Sequence, residues 1–250
     1  MSTASVLSLP DNRRIAYCVT GEQLPAVIFF TGFKSDMSGS KAMALQQFCE
    51  TRGQRFIRFD YTGHGESSGQ FIEGTIGSWA QDAADVLEQL GSAQNILVGS
   101  SMGAWIAMLL AQQNPQRVAG FVGIASAPDF TEELIWQRLN DTQKAELLEK
   151  GVFYAPSCYG EEPYPITQRL IEEARAHLLL NRSIAIEAPV RLIHGTQDED
   201  VPWQHSVRLM EQLSSRDVRL QLIKDGNHRL SEPAHLQTLC STLEDLLDRK

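Results

Sequence analysis

Asn95-Ile96-Leu97-Val98-Gly99-Ser100-Ser101-Met102-Gly103-Ala104 is the stretch that decides the fold. Asn95 to Val98 is a short apolar run of strand type, and Ala104 to Gln113 has the pattern of a helix. Between them lies G-x-S-x-G, and its spacing has a chemical reason. A serine at the tip of so sharp a strand-to-helix turn takes a strained backbone conformation, which lifts its hydroxyl clear of a sheet. Glycines on either side let neighbouring backbone come close. The helix that follows presents the Met102 N–H to a developing oxyanion. Ser101 is therefore the candidate nucleophile, and the off-centre Ser100 reads as a packing residue.

Outward from this turn, short apolar runs alternate with longer helical patterns. Strands are expected at Ala26–Phe30, Phe56–Phe59, Val118–Ile124, Val190–Ile193 and Val218–Ile223, and an edge hairpin at Ser5–Leu9 and Arg14–Val19. Helices are expected at Gly39–Arg52, Ser78–Leu90, Trp203–Leu213 and Ala234–Leu247. Strands flanked by helices on both sides mean an α/β fold with a mostly parallel eight-stranded sheet covered on both faces. Residues 130–188 break the rhythm. They contain no convincing strand, Pro156, Pro163 and Pro165 interrupt them, and helices are expected at Glu132–Leu139, Thr142–Lys150 and Ile166–Leu180. The chain thus divides into a core, residues 1–129 and 189–250, and a small helical lid, residues 130–188. Both ends of the lid are expected at the edge of the sheet that carries Ser101. Trp136, Phe153, Tyr154 and Leu179 are its candidate substrate-binding residues, with Tyr159 and Leu134 as further apolar positions.

A serine nucleophile needs a base, and the base needs an orienting acid. Asp198 lies just beyond the strand ending at Ile193, where α/β sheets hold their sites. Glu199 and Asp200 are its rivals. His228, in Lys224-Asp225-Gly226-Asn227-His228, lies just beyond the last strand. His64 in Gly63-His64-Gly65 and His194 at a strand end read as structural histidines. Ser68 stands where a dinucleotide fingerprint needs its third glycine, so that motif is not a nucleotide site.

The order Ser101, Asp198, His228 together with the strand–turn–helix context resembles the α/β-hydrolase superfamily over essentially the whole chain. Thr31-Gly32-Phe33 occupies the place of the family's oxyanion loop, with threonine where histidine is usual, and Asp60-Tyr61-Thr62-Gly63-His64-Gly65-Glu66-Ser67 resembles its D-x-x-G-x-G-x-S turn. Phe59-Asp60-Tyr61-Thr62-Gly63, Leu97-Val98-Gly99-Ser100-Ser101-Met102-Gly103 and Asp200-Val201-Pro202-Trp203 together are similar to the branch that includes a mitochondrial depalmitoylase and acyl-glucuronide esterase. The resemblance implies an α/β-hydrolase fold and a Ser101–His228–Asp198 triad. It also implies that the Phe33 and Met102 N–H groups form the oxyanion hole. The implied reaction is hydrolysis of carboxylic esters or thioesters through an acyl-enzyme, without a cofactor. The same triad supports perhydrolases, amidases and C–C hydrolases, and a non-catalytic receptor can keep it.

Composition bounds the rest. The 250 residues carry 22 Lys+Arg against 31 Asp+Glu, a formal charge of -9, which argues against a nucleic-acid surface. Cys18, Cys49, Cys158 and Cys240 have neither zinc nor redox-pair spacing, and no His/Asp/Glu cluster has metal-ligand spacing. No apolar run is long enough to span a membrane. The N-terminus carries neither a secretory signal nor an obvious transit peptide, so a cytoplasmic protein of bacterial type, acting on a small or acylated substrate, is expected. Oligomeric state is left open.

Overall fold

Asn95–Ser100 is buried at all six positions, as a central strand of a parallel sheet must be when both its faces are covered. In the computed structural model, which describes residues 4–155 and 163–249, this strand sits in an eight-stranded sheet. Pro156, Cys158 and Tyr159 lie outside the described residues. In chain order the elements are β1 (Ser5–Ser8), β2 (Arg14–Thr20), β3 (Gln23–Phe30), α1 (Ser40–Thr51), β4 (Gln54–Phe59), α2 (Ile76–Leu90), β5 (Asn95–Ser100), α3 (Met102–Gln113) and β6 (Val118–Ile124). Then follow α4 (Asp141–Lys150), β7 (Val152–Ala155), β8 (Tyr164–Thr167), α5 (Gln168–Ala174), β9 (Val190–Gly195), α6 (Gln204–Gln212), β10 (Val218–Ile223) and α7 (Pro233–Leu247).

The large sheet runs β1-β2-β4-β3-β5-β6-β9-β10. β2 is antiparallel to both its neighbours and every other pairing is parallel. One face packs against α1 and α7 through Leu45, Leu239 and Leu243 on Val27, Val98 and Val122. The other packs against α2, α3 and α6 through Trp79, Trp105 and Leu209. α3 is buried from Met102 to Ala111, so it has no polar face, and its apolar sequence gives none. α2 starts in a capping box, with Thr75 and Ser78 each accepting the other's backbone N–H.

The segment between β6 and β9 differs from the sequence expectation in two ways. It is not all helix. β7 and β8 form a separate antiparallel hairpin, with Phe153 opposite Ile166 and Ala155 opposite Tyr164. The helix expected from Ile166 shrinks to α5 and one following 3₁₀ turn. Pro165 is tolerated because a two-stranded ribbon has only edge strands. The residues expected as helix from Glu132 form a π turn and a 3₁₀ turn, Thr131–Ile135 and Trp136–Arg138. Nor do both ends leave the same sheet edge. β6 and β9 are parallel neighbours, so the segment leaves at the C-terminal end of β6 and re-enters at the N-terminal end of β9. Its return path is fixed by Asp129, whose carboxylate accepts the Leu179 and Leu180 amides at 2.7 and 2.8 Å, and by the Trp105 indole N–H, which donates to the His177 carbonyl at 3.0 Å.

Candidate active site

Ser101 holds φ 54° and ψ -120°, a conformation that side-chain-bearing residues adopt at a cost of about 1–3 kcal/mol. The surroundings enforce it. The Ser101 N–H donates to the Ile124 carbonyl at 2.9 Å, and the Ser101 carbonyl accepts from Ala104 at 3.0 Å. A Cβ on Gly99 would meet the Ala104 backbone at 2.4 Å, and one on Gly103 would meet the Phe30 carbonyl oxygen at 2.2 Å. Both glycines of the motif are thus required by backbone closing on backbone.

His228 Nε2 lies 3.0 Å from Ser101 Oγ, and His228 Nδ1 lies 2.7 Å from Asp198 Oδ2. Asp198 Oδ1 accepts the Asp200 and Val201 amides at 3.0 and 2.8 Å. A second imidazole, His194, reaches Asp198 Oδ2 through Nε2 at 3.0 Å. Burial alone would push the Asp198 carboxyl up. The hydrogen bonds from His194 and His228, with that of the Val201 amide, outweigh it and hold the group well below the usual carboxylate range. Glu199 and Asp200 line the cavity, whereas Asp198 is the carboxylate beneath His228. Asp198, Asp200 and His228 offer ligand atoms within 4.8 Å of one another. A metal there would have to displace the N–H donors that already occupy Asp198.

Met102 opens α3, so its N–H has no partner within the helix, and a Cβ on Gly32 would lie 3.5 Å from Ser101 Cβ, so the loop that carries Phe33 runs beside the turn. The family model for the alpha/beta hydrolase fold matches residues 25–158, more than half of the chain. The chain belongs to the alpha/beta hydrolase fold family. Within that family it is similar to the mitochondrial palmitoyl-protein thioesterase ABHD10 of Bos taurus, with 40% identity over 99% of this chain and 81% of that one. The Homo sapiens protein of the same name is 38% identical over the same shares. Among solved structures, mouse alpha/beta hydrolase domain-containing protein 10 superposes with a TM-score of 0.92 at 37% identity, covering 99% of both chains. The named location of these relatives corrects the expectation of a cytoplasmic protein: they are mitochondrial. Among the described residues no helix is long and apolar enough to cross a membrane.

Beside Ser101 and His228 the alpha/beta hydrolase core opens into a cavity of about 550 Å³. Its apolar wall is Phe33, Phe130, Leu134, Ile135, Tyr164 and Ile166. Lys41 also lines it and donates to the Arg229 carbonyl at 2.5 Å. Burial, with Arg229 close by, lowers the Lys41 ammonium to about 8. The four substrate-binding candidates read from the sequence are not on that wall. Trp136 carries Lys144 and Arg175 over its ring at 5.2 and 5.1 Å. Phe153 packs with Leu147, Ile166 and Ile171 in a small cluster. Tyr154 is 55% exposed, and Leu179 is fully buried in the main core. The residues that do line the cavity were signalled only in part. Leu134 and Ile135 stand in an apolar run, whereas Tyr164 lies between Pro163 and Pro165 and Ile166 directly follows Pro165.

Proposed function

We propose that the chain hydrolyses carboxylic thioesters and esters of fatty acyl groups, with Ser101 as nucleophile, His228 as base and Asp198 as the acid that orients it. The observation that carries the reading is the unbroken hydrogen-bonded row from Ser101 Oγ through His228 to Asp198, at the foot of an apolar-walled cavity. In this reading His228 Nε2 takes the Ser101 proton as Oγ attacks the carbonyl carbon. Asp198 holds the imidazole with its proton on Nδ1 and stabilises the imidazolium that forms. The carbonyl oxygen becomes an oxyanion and accepts from the Phe33 and Met102 N–H groups, a contribution of about 3–4 kcal/mol per donor. The tetrahedral intermediate collapses to an acyl-Ser101 and releases the thiol or alcohol, which takes the proton from His228. Water, deprotonated by His228, then attacks the acyl carbon; the Ser101 Oγ–acyl bond breaks, Oγ takes the proton from His228, and the fatty acid leaves.

Residues 130–188 act as a lid in this account, since Phe130, Leu134, Ile135, Tyr164 and Ile166 come from that segment. An acyl chain along this wall is stabilised by up to ~0.8 kcal/mol for each methylene it buries. The ABHD10 relatives are named palmitoyl-protein thioesterases, which supports the thioester and the long acyl chain. The test is a series of matched thioesters and oxygen esters from acetyl to palmitoyl. kcat/KM is expected to rise with chain length and to vanish in Ser101→Ala. A steady fall from acetyl onward would refute the fatty-acyl reading.

A further inference from the structure

Asp198 Oδ2 receives two imidazoles. One is His228, and the other, His194, is fully buried and lies four residues before Asp198 in sequence. The protonation of the second ring follows from its neighbours. His194 Nε2 faces Asp198 Oδ2 at 3.0 Å and the Val201 carbonyl at 2.9 Å, and both are acceptors only. The proton is therefore on Nε2. Nδ1, at 2.7 Å from Ser206 Oγ, is left as the acceptor of the serine hydroxyl. The row reads Ser206 O–H to His194, His194 N–H to Asp198, and Asp198 to His228.

We propose that His194 is a positioning residue of this site: its Nε2–H pins Asp198 Oδ2 in the direction that His228 Nδ1 requires. The inference rests on the Ser101–His228–Asp198 reading and deepens it. The two amides on Oδ1 fix one carboxylate oxygen, but they leave the carboxylate free to twist about them. His194 removes that freedom, because its own ring is held on the far side by Ser206, which follows from the first turns of α6. With His194 in place all four lone-pair directions of Asp198 are occupied, and His228 has one orientation to adopt. Without it, Oδ2 turns toward whatever donor is nearest, and the imidazole that must face Ser101 loses its fixed direction. A misplacement of about 1 Å at a reacting group costs on the order of 10²-fold in rate.

The experiment uses the full chain and three variants. His194→Met fills the space without a donor. His194→Gln puts an amide N–H at the place of Nε2. Ser206→Ala frees the ring with almost no change of volume. Two readouts are taken, kcat and KM on a palmitoyl thioester, and the ¹H–¹⁵N resonance of the His228 Nδ1–H in labelled protein. His194→Met is expected to lower kcat by about 10²-fold with KM within about twofold, and to shift or broaden the His228 resonance. His194→Gln is expected to recover most of both, and Ser206→Ala to fall between. A His228 resonance and kcat unchanged in His194→Met would overturn the proposal. So would a His194→Gln as impaired as His194→Met, because the ring's bulk and not its donor would then be what matters. Should His194→Met fail to fold, the contrast between Ser206→Ala and the unaltered chain decides by the same two readouts. The two readings fail separately: turnover that survives Ser101→Ala sinks the nucleophile assignment, whereas the His228 resonance answers for His194 whatever the activity.

Discussion

Acidification should weaken the fold through His64, and the amount can be worked out. The imidazole is 4% exposed and lies edge-on to the rings of Tyr61, Phe71 and Trp79. Its Nδ1–H donates to the Thr62 carbonyl at 3.3 Å, and its Nε2 accepts the Lys34 N–H at 3.3 Å. A second proton on Nε2 would face that N–H, donor against donor, in a buried site. Burial accordingly lowers the His64 imidazole to about 4. In the unfolded chain it titrates at about 6.5, so the unfolded state binds more protons and stability falls as pH falls. The contribution is complete above about pH 6.5 and is lost as pH descends through about 4. At about 1.4 kcal/mol per pH unit for one proton, the loss over that interval is about 3 kcal/mol. The variant His64→Gln keeps an acceptor for the Lys34 N–H and cannot titrate. Urea unfolding between pH 4.5 and 7.5 measures both proteins. His64→Gln is expected to be the less stable of the two at pH 7, because ring packing is lost, yet its stability falls less steeply below pH 6.5. Parallel curves for the two proteins would refute the reasoning. Lys34 is the neighbour of Phe33, so the same protonation should also disturb the loop proposed to hold the oxyanion.

Three further outcomes are expected. Asp198→Asn should lower kcat by about 10⁴-fold, the loss seen when an amide replaces the orienting acid of a serine protease, whereas Glu199→Gln and Asp200→Asn should stay within about tenfold; comparing the three kcat values checks it. Gly103→Ala should destabilise the chain by about 1–3 kcal/mol despite alanine's better helix propensity, because the Phe30 carbonyl oxygen at 2.2 Å is backbone and cannot swing away, and urea midpoints measure it. Leu134→Trp or Ile166→Trp should narrow the apolar wall and cut kcat/KM for palmitoyl relative to butyryl thioesters, by up to about fourfold for each methylene no longer buried, read from the chain-length series.

What was legible in the sequence were the residues whose spacing is dictated by covalent geometry. Gly99 and Gly103 flank Ser101 because backbone must approach within the reach of a Cβ, and that leaves a fixed pattern. Asp198 and His228 lie immediately beyond β9 and β10, so strand ends and chain order point to them. The strand and helix order followed from apolar periodicity to within a few residues, since both sheet faces are covered. The segment from 130 to 188 was not legible in the same way. Pro163 and Pro165 read as breakers, yet β8 has an edge on which proline costs no sheet hydrogen bond. Apolar residues there do not say which way they face: Trp136 spreads under two cations, Leu179 turns into the core, and Ile166 reaches the cavity. His194 read as a structural histidine, because nothing in its local sequence reveals that its ring meets Asp198 across the loop.

In the proposed reaction an acyl group passes through Ser101. Rapid mixing of the full chain with a palmitoyl thioester, acid quench and peptide mapping by mass spectrometry would test it most directly. An acyl group is expected on Ser101 alone, formed and lost at rates consistent with turnover, and absent from Ser101→Ala along with the turnover itself. An acyl group on Ser100 or on any cysteine, or turnover that persists in Ser101→Ala, would contradict it.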